Sequence, residues 1–282
     1  MANVCILTDS TVQFPTPVFN GRTRVHVIPL HIQLNDQLYK NSEGVKASDL
    51  PATTRNGLKP AALPPSVQEF QRMFASLGQT YQEIIGIFHS GHLTATAGNA
   101  ERAAEAAQGK VRIHLVDAQT TAIGLGLVVQ AAAAAAEEGM DGEELERMAR
   151  SLLPRVYSIF CIEGLTYLRH SGALVPAQGL VSEYLKMMGL FVMDNGQFVP
   201  TQKARNYRHL VDLLHEFLFE FPVIEHIGIL QGVPAFETET RALRERIALD
   251  YADTPLSEHT IGPGLATLIG PRSLGLFVLQ PE

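Results

Sequence analysis

Tryptophan is absent from this 282-residue chain, aromatic residues make up only 7% of it, and charged residues only 18%. Basic residues are the scarcer sign, 22 Lys and Arg against 29 Asp and Glu, for a formal charge of −7. That balance excludes an electrostatic nucleic-acid clamp, because counterion release needs a concentrated basic surface. Only two cysteines occur, Cys5 and Cys161, far apart and inside apolar runs. They read as buried thiols in a reducing compartment rather than as a structural bridge. No stretch approaches the roughly 18 uninterrupted apolar residues of a membrane span, and no secretory signal layout is read at the start. The expectation is a soluble cytoplasmic protein without stable membrane insertion. Apolar residues are abundant at 46%, enough for a large core, and the length suggests two subdomains.

Val4 to Leu7 reads as a buried strand ending in Thr8-Asp9-Ser10-Thr11, a polar turn suited to capping a helix. Arg24 to Gln33 reads as one extended stretch, with Pro29 placing it at an edge or a bend. Residues 41 to 65, rich in glycine and proline, predict a long surface segment with little core. Ser66 with Glu69 matches a capping box, and Phe70, Phe74 and Leu77 follow at helical spacing. The periodicity then predicts a strand over 84–88, a turn over 89–96, a helix over 97–108, a strand over 111–116, a turn over 117–121, and helices over 122–138 and 143–153. Strand–helix alternation of this kind implies a mostly parallel sheet covered on both faces. Its polar turns at 8–11, 89–96 and 117–121 are then expected to converge on one crevice.

After Pro154 the rhythm changes. Strands are predicted at 157–162 and 224–230, a hairpin at Asp194-Asn195-Gly196, helices around 207–221 and 237–251, and a closing strand at 274–279. The whole reads as an α/β protein with an N-terminal unit over 1–154 and a smaller mixed α/β unit over 155–282.

No metal or catalytic motif accompanies this pattern. His89 and His92 lack a third ligand at fixed spacing and read as polar turn residues. Gly124-Leu125-Gly126 lacks the third glycine of a dinucleotide fingerprint, so close helix packing accounts for it better. Asp9 and Asp117 each follow an apolar strand. They suit acid–base or metal chemistry, but capping of the following helix is the favoured reading.

In these turns the chain resembles the DegV family of bacterial lipid-binding proteins. Thr8-Asp9-Ser10-Thr11 is similar to the family's opening motif, Val27-Ile28-Pro29-Leu30 to its next strand, and Pro65-Ser66 with Phe70 to the end of its Thr-Ser-Gln-Pro-Ser segment. Ser90 to Thr96 occupies the place of the Ser-Ser-x-Leu-Ser-Gly-Thr turn, and Val116-Asp117 with Gly124 and Gly126 that of the next motif. Leu165 to Gly172 is similar to the segment before a Gly-Gly-Arg turn, and Lys203-Ala204-Arg205 to a later basic motif. Gly270-Pro271 with Gly275 is similar to the closing His-x-Gly-Pro-Gly region.

The resemblance implies a two-domain fold holding one long-chain fatty acid between the domains. It also implies presentation of the carboxylate to a separate fatty acid kinase partner, with no catalytic group, cofactor or metal of the protein's own. The implied ligand positions are Ala62, Leu63, Ser90, Gly91, Thr94, Thr96, Ala173, Leu268 and Ile269. Met187, Met188, Phe191 and Met193 are further residues suited to lining a tail tunnel or to ordinary core.

Three positions depart from the family pattern. Ala62 falls within a lost Thr-Ser-Gln, Ala173 replaces an arginine, and Leu268 replaces a histidine. A competing registry on Gly262-Pro263-Gly264 puts Thr260 there instead. Two alternatives stand beside the carrier reading: a regulatory or interaction module that has lost ligand binding, and an enzyme using Asp9 or Asp117.

Overall fold

A computed structural model describes residues 3–52, 54, 60–107, 111–163, 165–172 and 188–282. In chain order the first part contains β1 (Val4–Asp9), β2 (Val25–Ile28), β3 (His31–Leu34), β4 (Gln37–Tyr39), β5 (Ala61–Leu63), α1 (Val67–Leu77), β6 (Glu83–Phe88), α2 (Thr96–Ala106), β7 (Arg112–Asp117), α3 (Ala122–Glu138) and α4 (Gly142–Leu152). The second part contains β8 (Val156–Glu163), α5 (Thr166–Ser171), β9 (Met188–Asp194), β10 (Gln197–Ala204), α6 (Tyr207–Phe219), β11 (His226–Gln231), α7 (Glu237–Asp250), β12 (Leu256–Thr260), α8 (Pro263–Ile269) and β13 (Ser273–Leu279).

Strands β2, β1, β6 and β7 lie side by side, all parallel. Alternate residues of β1 face opposite sides: Val4 and Ile6 join a core with α3, while Cys5 and Leu7 pack with Phe70 and Phe74 of α1. Burial on both faces is why the strand reads as an unbroken apolar run. The second sheet runs β10-β9-β8-β13-β11-β12 and is antiparallel except for the β11–β12 pair. Its outer face carries α6 and α7, with Leu210, Leu214 and Phe217 against Ile159, Leu276 and Val278.

Helix α3 joins the two sheets. Its residues share one core with Ile85 and Ile87 of the parallel sheet and with Phe160 and Phe277 of the mixed one. A helix covered on both sides must be apolar nearly all round, which is what its Ala-rich sequence supplies. Gly126 admits the loop after β1 to its surface, since a Cβ there would run into the Gln13 carbonyl. The Gly124–Gly126 pair is thus a packing device rather than a nucleotide fingerprint.

Several sequence expectations change. The stretch 24–33 is two strands: β2 lies in the parallel sheet, and β3 pairs with β4 and β5 in a separate antiparallel sheet. The segment 41–65 is less superficial than its prolines suggest, because Val45, Ala47 and Leu50 are buried and Ala61–Leu63 forms β5. Helix α8, absent from the sequence reading, packs its buried Leu265, Leu268 and Ile269 into the core that holds Ile6 and Val25. Both cysteines are buried and free, and burial pushes the Cys5 thiol up to about 12.

Candidate functional site

Three polar turns meet beyond the carboxyl ends of β1, β6 and β7, and two carboxylates, the buried Asp9 and the half-buried Asp117, bind them together. Asp9 caps no helix, because the chain after β1 continues as a loop. Its Oδ1 accepts from the Thr11 backbone N–H (2.9 Å) and hydroxyl (2.6 Å), and its Oδ2 accepts from the His89 backbone N–H (2.8 Å). His89 Nδ1 lies 2.9 Å from Oδ2, and both side chains are fully buried. Burial alone would raise the Asp9 pKa, but attraction to the His89 ring, with hydrogen bonds from His89 and Thr11, outweighs it and holds the carboxyl below its ordinary value.

Asp117 likewise caps nothing: α3 begins after Thr121, and Asp117 instead accepts from Gln119 N–H at 2.9 Å and Gly91 N–H at 3.1 Å. Both capping expectations fail for the same reason. An Asp two residues before a backbone N–H closes a local turn readily, leaving its second oxygen for a neighbouring loop.

His89 is the residue the sequence reading undervalued. Its ring points inward to Asp9, and its Nε2 lies 2.7 Å from Thr94 Oγ1. His92, by contrast, is exposed. A polar residue directly after a buried strand carries no periodicity signal for such a pairing, since its partner is 80 positions away. Among the described residues no group of three or more His, Cys, Asp or Glu is placed to hold a metal ion.

The structure divides the candidate ligand residues into two sets. Ser90, Gly91, Thr94 and Thr96 belong to the β6–α2 turn. Ser90 is fully buried, and its hydroxyl donates to the Gly196 carbonyl at 2.7 Å while accepting from His92 N–H. It therefore braces the hairpin turn of the mixed sheet, where Gly196 has φ 79 and a Cβ would strike the Ser90 hydroxyl. Gly91 is exposed, Thr94 half-buried and Thr96 buried, with the two threonine hydroxyls 2.7 Å apart.

Ala62, Leu63, Leu268 and Ile269 form the second set, on β5 and α8. Ala62 packs against the apolar core that contains Leu268 and Ile269, together with Leu93 from the β6–α2 turn, Leu165 just before α5 and Leu168 within it. The Leu268 carbonyl accepts from the Ser171 hydroxyl at 3.1 Å. Tyr167 of α5 donates to the Pro51 carbonyl at 2.5 Å, and burial pushes its phenol up to about 12. Thr260, the alternative to Leu268, is exposed at the end of β12, its carbonyl bonded to Gln13 Nε2. Ala173 and Met187 lie outside the described residues. Phe191 and Met193 belong to the core around α3, whereas Met188 packs with α6 on the far side of the mixed sheet.

Among the described residues, cavities also lie away from these two sets. One of ≈ 860 Å³ is lined by Phe19, Leu127, Met148, Arg155 and Leu279, and another of ≈ 830 Å³ by Gln119, Tyr157, Met193, Asn195 and Phe221. Among the described residues no helix is long and apolar enough to cross a membrane.

A parallel and a mixed sheet joined through one apolar helix, with polar turns gathered at the carboxyl ends of the parallel strands, define the class as a mixed α/β protein. The chain belongs to the DegV family: the model described as "Uncharacterised protein, DegV family" matches residues 3–281. A DegV domain-containing protein of Deinococcus radiodurans is 27% identical over 284 residues, covering 99% of each chain. The fold is shared with a Thermus thermophilus DegV family protein described by its fatty acid binding (TM-score 0.85, 23% identity, 99% of this chain and 100% of that one). It is shared equally with the Streptococcus pneumoniae fatty acid kinase B3 protein loaded with linoleic acid (TM-score 0.84, 19% identity, 99% of each).

Proposed function

We propose that this protein binds a long-chain fatty acid or similar acyl lipid between its two units, residues 1–154 and 155–282, and presents the head group to a fatty acid kinase subunit in the cytoplasm. It acts as a carrier and supplies no catalytic group. The observation that carries this reading is the end-to-end fold match to proteins described as binding fatty acids. Locally it is supported by the single apolar core that brings Ala62, Leu268 and Ile269 together with Leu93 of the polar β6–α2 turn.

The energetics favour the tail. About a dozen methylenes at roughly 0.8 kcal/mol each give on the order of 10 kcal/mol before the cost of association. One hydrogen bond to a charged group contributes about 1.5–3 kcal/mol. Apolar residues at 62 and 268 therefore weaken the grip on a carboxylate without removing the reason to bind an acyl chain. Organic extraction of the purified protein followed by mass spectrometry is expected to return fatty acid. A lipid-free preparation that also takes up none on titration overturns the reading.

A further inference from the structure

The charged groups lining the two cavities are disposed differently. In the cavity of ≈ 860 Å³, Arg155 pairs with two acids, Glu225 at 3.1 Å and Glu282 at 3.4 Å, so the charges answer one another. The cavity of ≈ 830 Å³ is lined by Asp194 and Glu220, and neither carboxylate meets a cation among the described residues. Asp194 accepts from the side-chain amide of its neighbour Asn195, at 3.1 Å. Arg150, which also lines this cavity, is already bonded to Glu146 at 2.8 Å and to the Leu115 carbonyl at 2.9 Å.

Two exposed acids alone would be ordinary surface residues. What sets these apart is the concave space they share and its aromatic wall. The rings of Tyr157 and Phe221 have centroids 4.8 Å apart, and Phe217 stands edge-on to Phe221 at 5.1 Å. Tyr157 remains 37% exposed, so ring surface is open to a ligand. An aromatic face attracts a cation through its quadrupole, more strongly where water is excluded. Carboxylates beside it supply charge-assisted acceptors for N–H bonds. An anion in the same place would meet two unpaired carboxylates, and an uncharged ligand would leave them unmatched. A volume of this size holds a ligand of several carbon atoms.

We propose that this cavity binds a small organic ammonium ion, its charge held by Glu220 and Asp194 and its carbon body laid against Tyr157 and Phe221. The side-chain carbonyls of Gln119 and Asn195, which also line the cavity, are neutral acceptors for its remaining N–H groups. None of the described acyl-site positions on β5, α8 or the β6–α2 turn lines this cavity, so the ammonium site is independent of the fatty-acid reading.

Glu220 is exposed, so Glu220→Gln removes its charge without disturbing the core. Isothermal titration calorimetry on the full chain at low ionic strength compares cadaverine and benzylamine with the alcohols of the same carbon skeletons. At least one amine is expected to bind, and its alcohol counterpart at least tenfold more weakly. Glu220→Gln should weaken that amine roughly tenfold, the lower end of the range for one hydrogen bond to a charged group. Tyr157→Leu, which removes the ring and keeps an apolar side chain, should weaken it several-fold. Glu216→Gln is the control, the same loss of charge at an exposed residue of α6 that does not line the cavity, and it should leave the affinity unchanged. Failure of both amines to bind overturns the site, as does equal binding of amine and alcohol. Equal weakening by Glu216→Gln and Glu220→Gln also overturns it, because the attraction is then to the chain's overall charge of −7 rather than to the cavity.

Discussion

Asp9→Ala should destabilise the fold by about 3–5 kcal/mol, because it leaves several buried donors without their acceptor at once. The substitution takes acceptors from the Thr11 N–H, the Thr11 hydroxyl and the His89 N–H at once, and leaves the buried His89 ring without the carboxylate beside its Nδ1. Because these bonds tie β1 to the β6–α2 turn, the loss should disorder that turn as well as lower the urea midpoint. The pH dependence has a definite sign. Asp9 is held below its ordinary value of 3.8 in the folded protein. Its contribution is therefore fully present above that value and is lost as pH falls through the folded pKa. Wild type should lose stability on acidification below about pH 4, and Asp9→Asn should flatten that part of the curve. A cost under about 1 kcal/mol by urea denaturation would mean that the pair is a surface-like contact rather than a buried tie.

The elements that were legible in the sequence are those whose signals are local. Ser66 and Glu69 make both reciprocal bonds of the capping box, and Asp194-Asn195-Gly196 forms the hairpin turn with both Asn195 and Gly196 at positive φ. The run Val4–Leu7 and the alanine-rich α3 could be read because burial on both sides imposes an apolar sequence with no further pattern. What stayed hidden depends on distant partners. Strand β12 carries Ser257 and His259 in a polar-looking stretch and exists because it pairs with β11 at the sheet edge. Strands β3 and β5 are too short to read alone and stabilise one another although the stretch 35–60 separates them in the chain.

At the site the same division holds. Thr94 and Thr96 were legible as hydroxyls on a turn, and Leu268 as an apolar residue where the family pattern has a polar one. The role of Ser90 was not, since its partner is a hairpin carbonyl 106 positions away. His89 was read as a polar turn residue and Asp9 as a helix cap, and only the pairing of β1 with β6 makes them a buried pair. Long-range pairing is therefore what converts an unremarkable polar turn into a constrained hydrogen-bonding site.

A pair of glycines in helices should separate packing from propensity. Gly126→Val is expected to cost about 3 kcal/mol or more, at the upper end of overpacking effects. Valine is only slightly worse than glycine-free helix formers in backbone terms, so the penalty must come from contact. A Cβ at 126 meets the Gln13 carbonyl and the Pro15 ring, and the loop cannot retreat without losing the bond from Gln13 N–H to the Ala122 carbonyl and the link between Thr16 and Gln130. Gly98→Ala in α2 is the control, because nothing lies within 4 Å of its would-be Cβ. There the lost backbone entropy of glycine dominates, and the substitution should stabilise by about 0.5–1 kcal/mol. Opposite signs by urea denaturation would establish that the loop between β1 and β2 is clamped on α3 by steric fit. Equal small effects at both positions would show instead that this loop yields freely and that α3 is held by the two sheets alone.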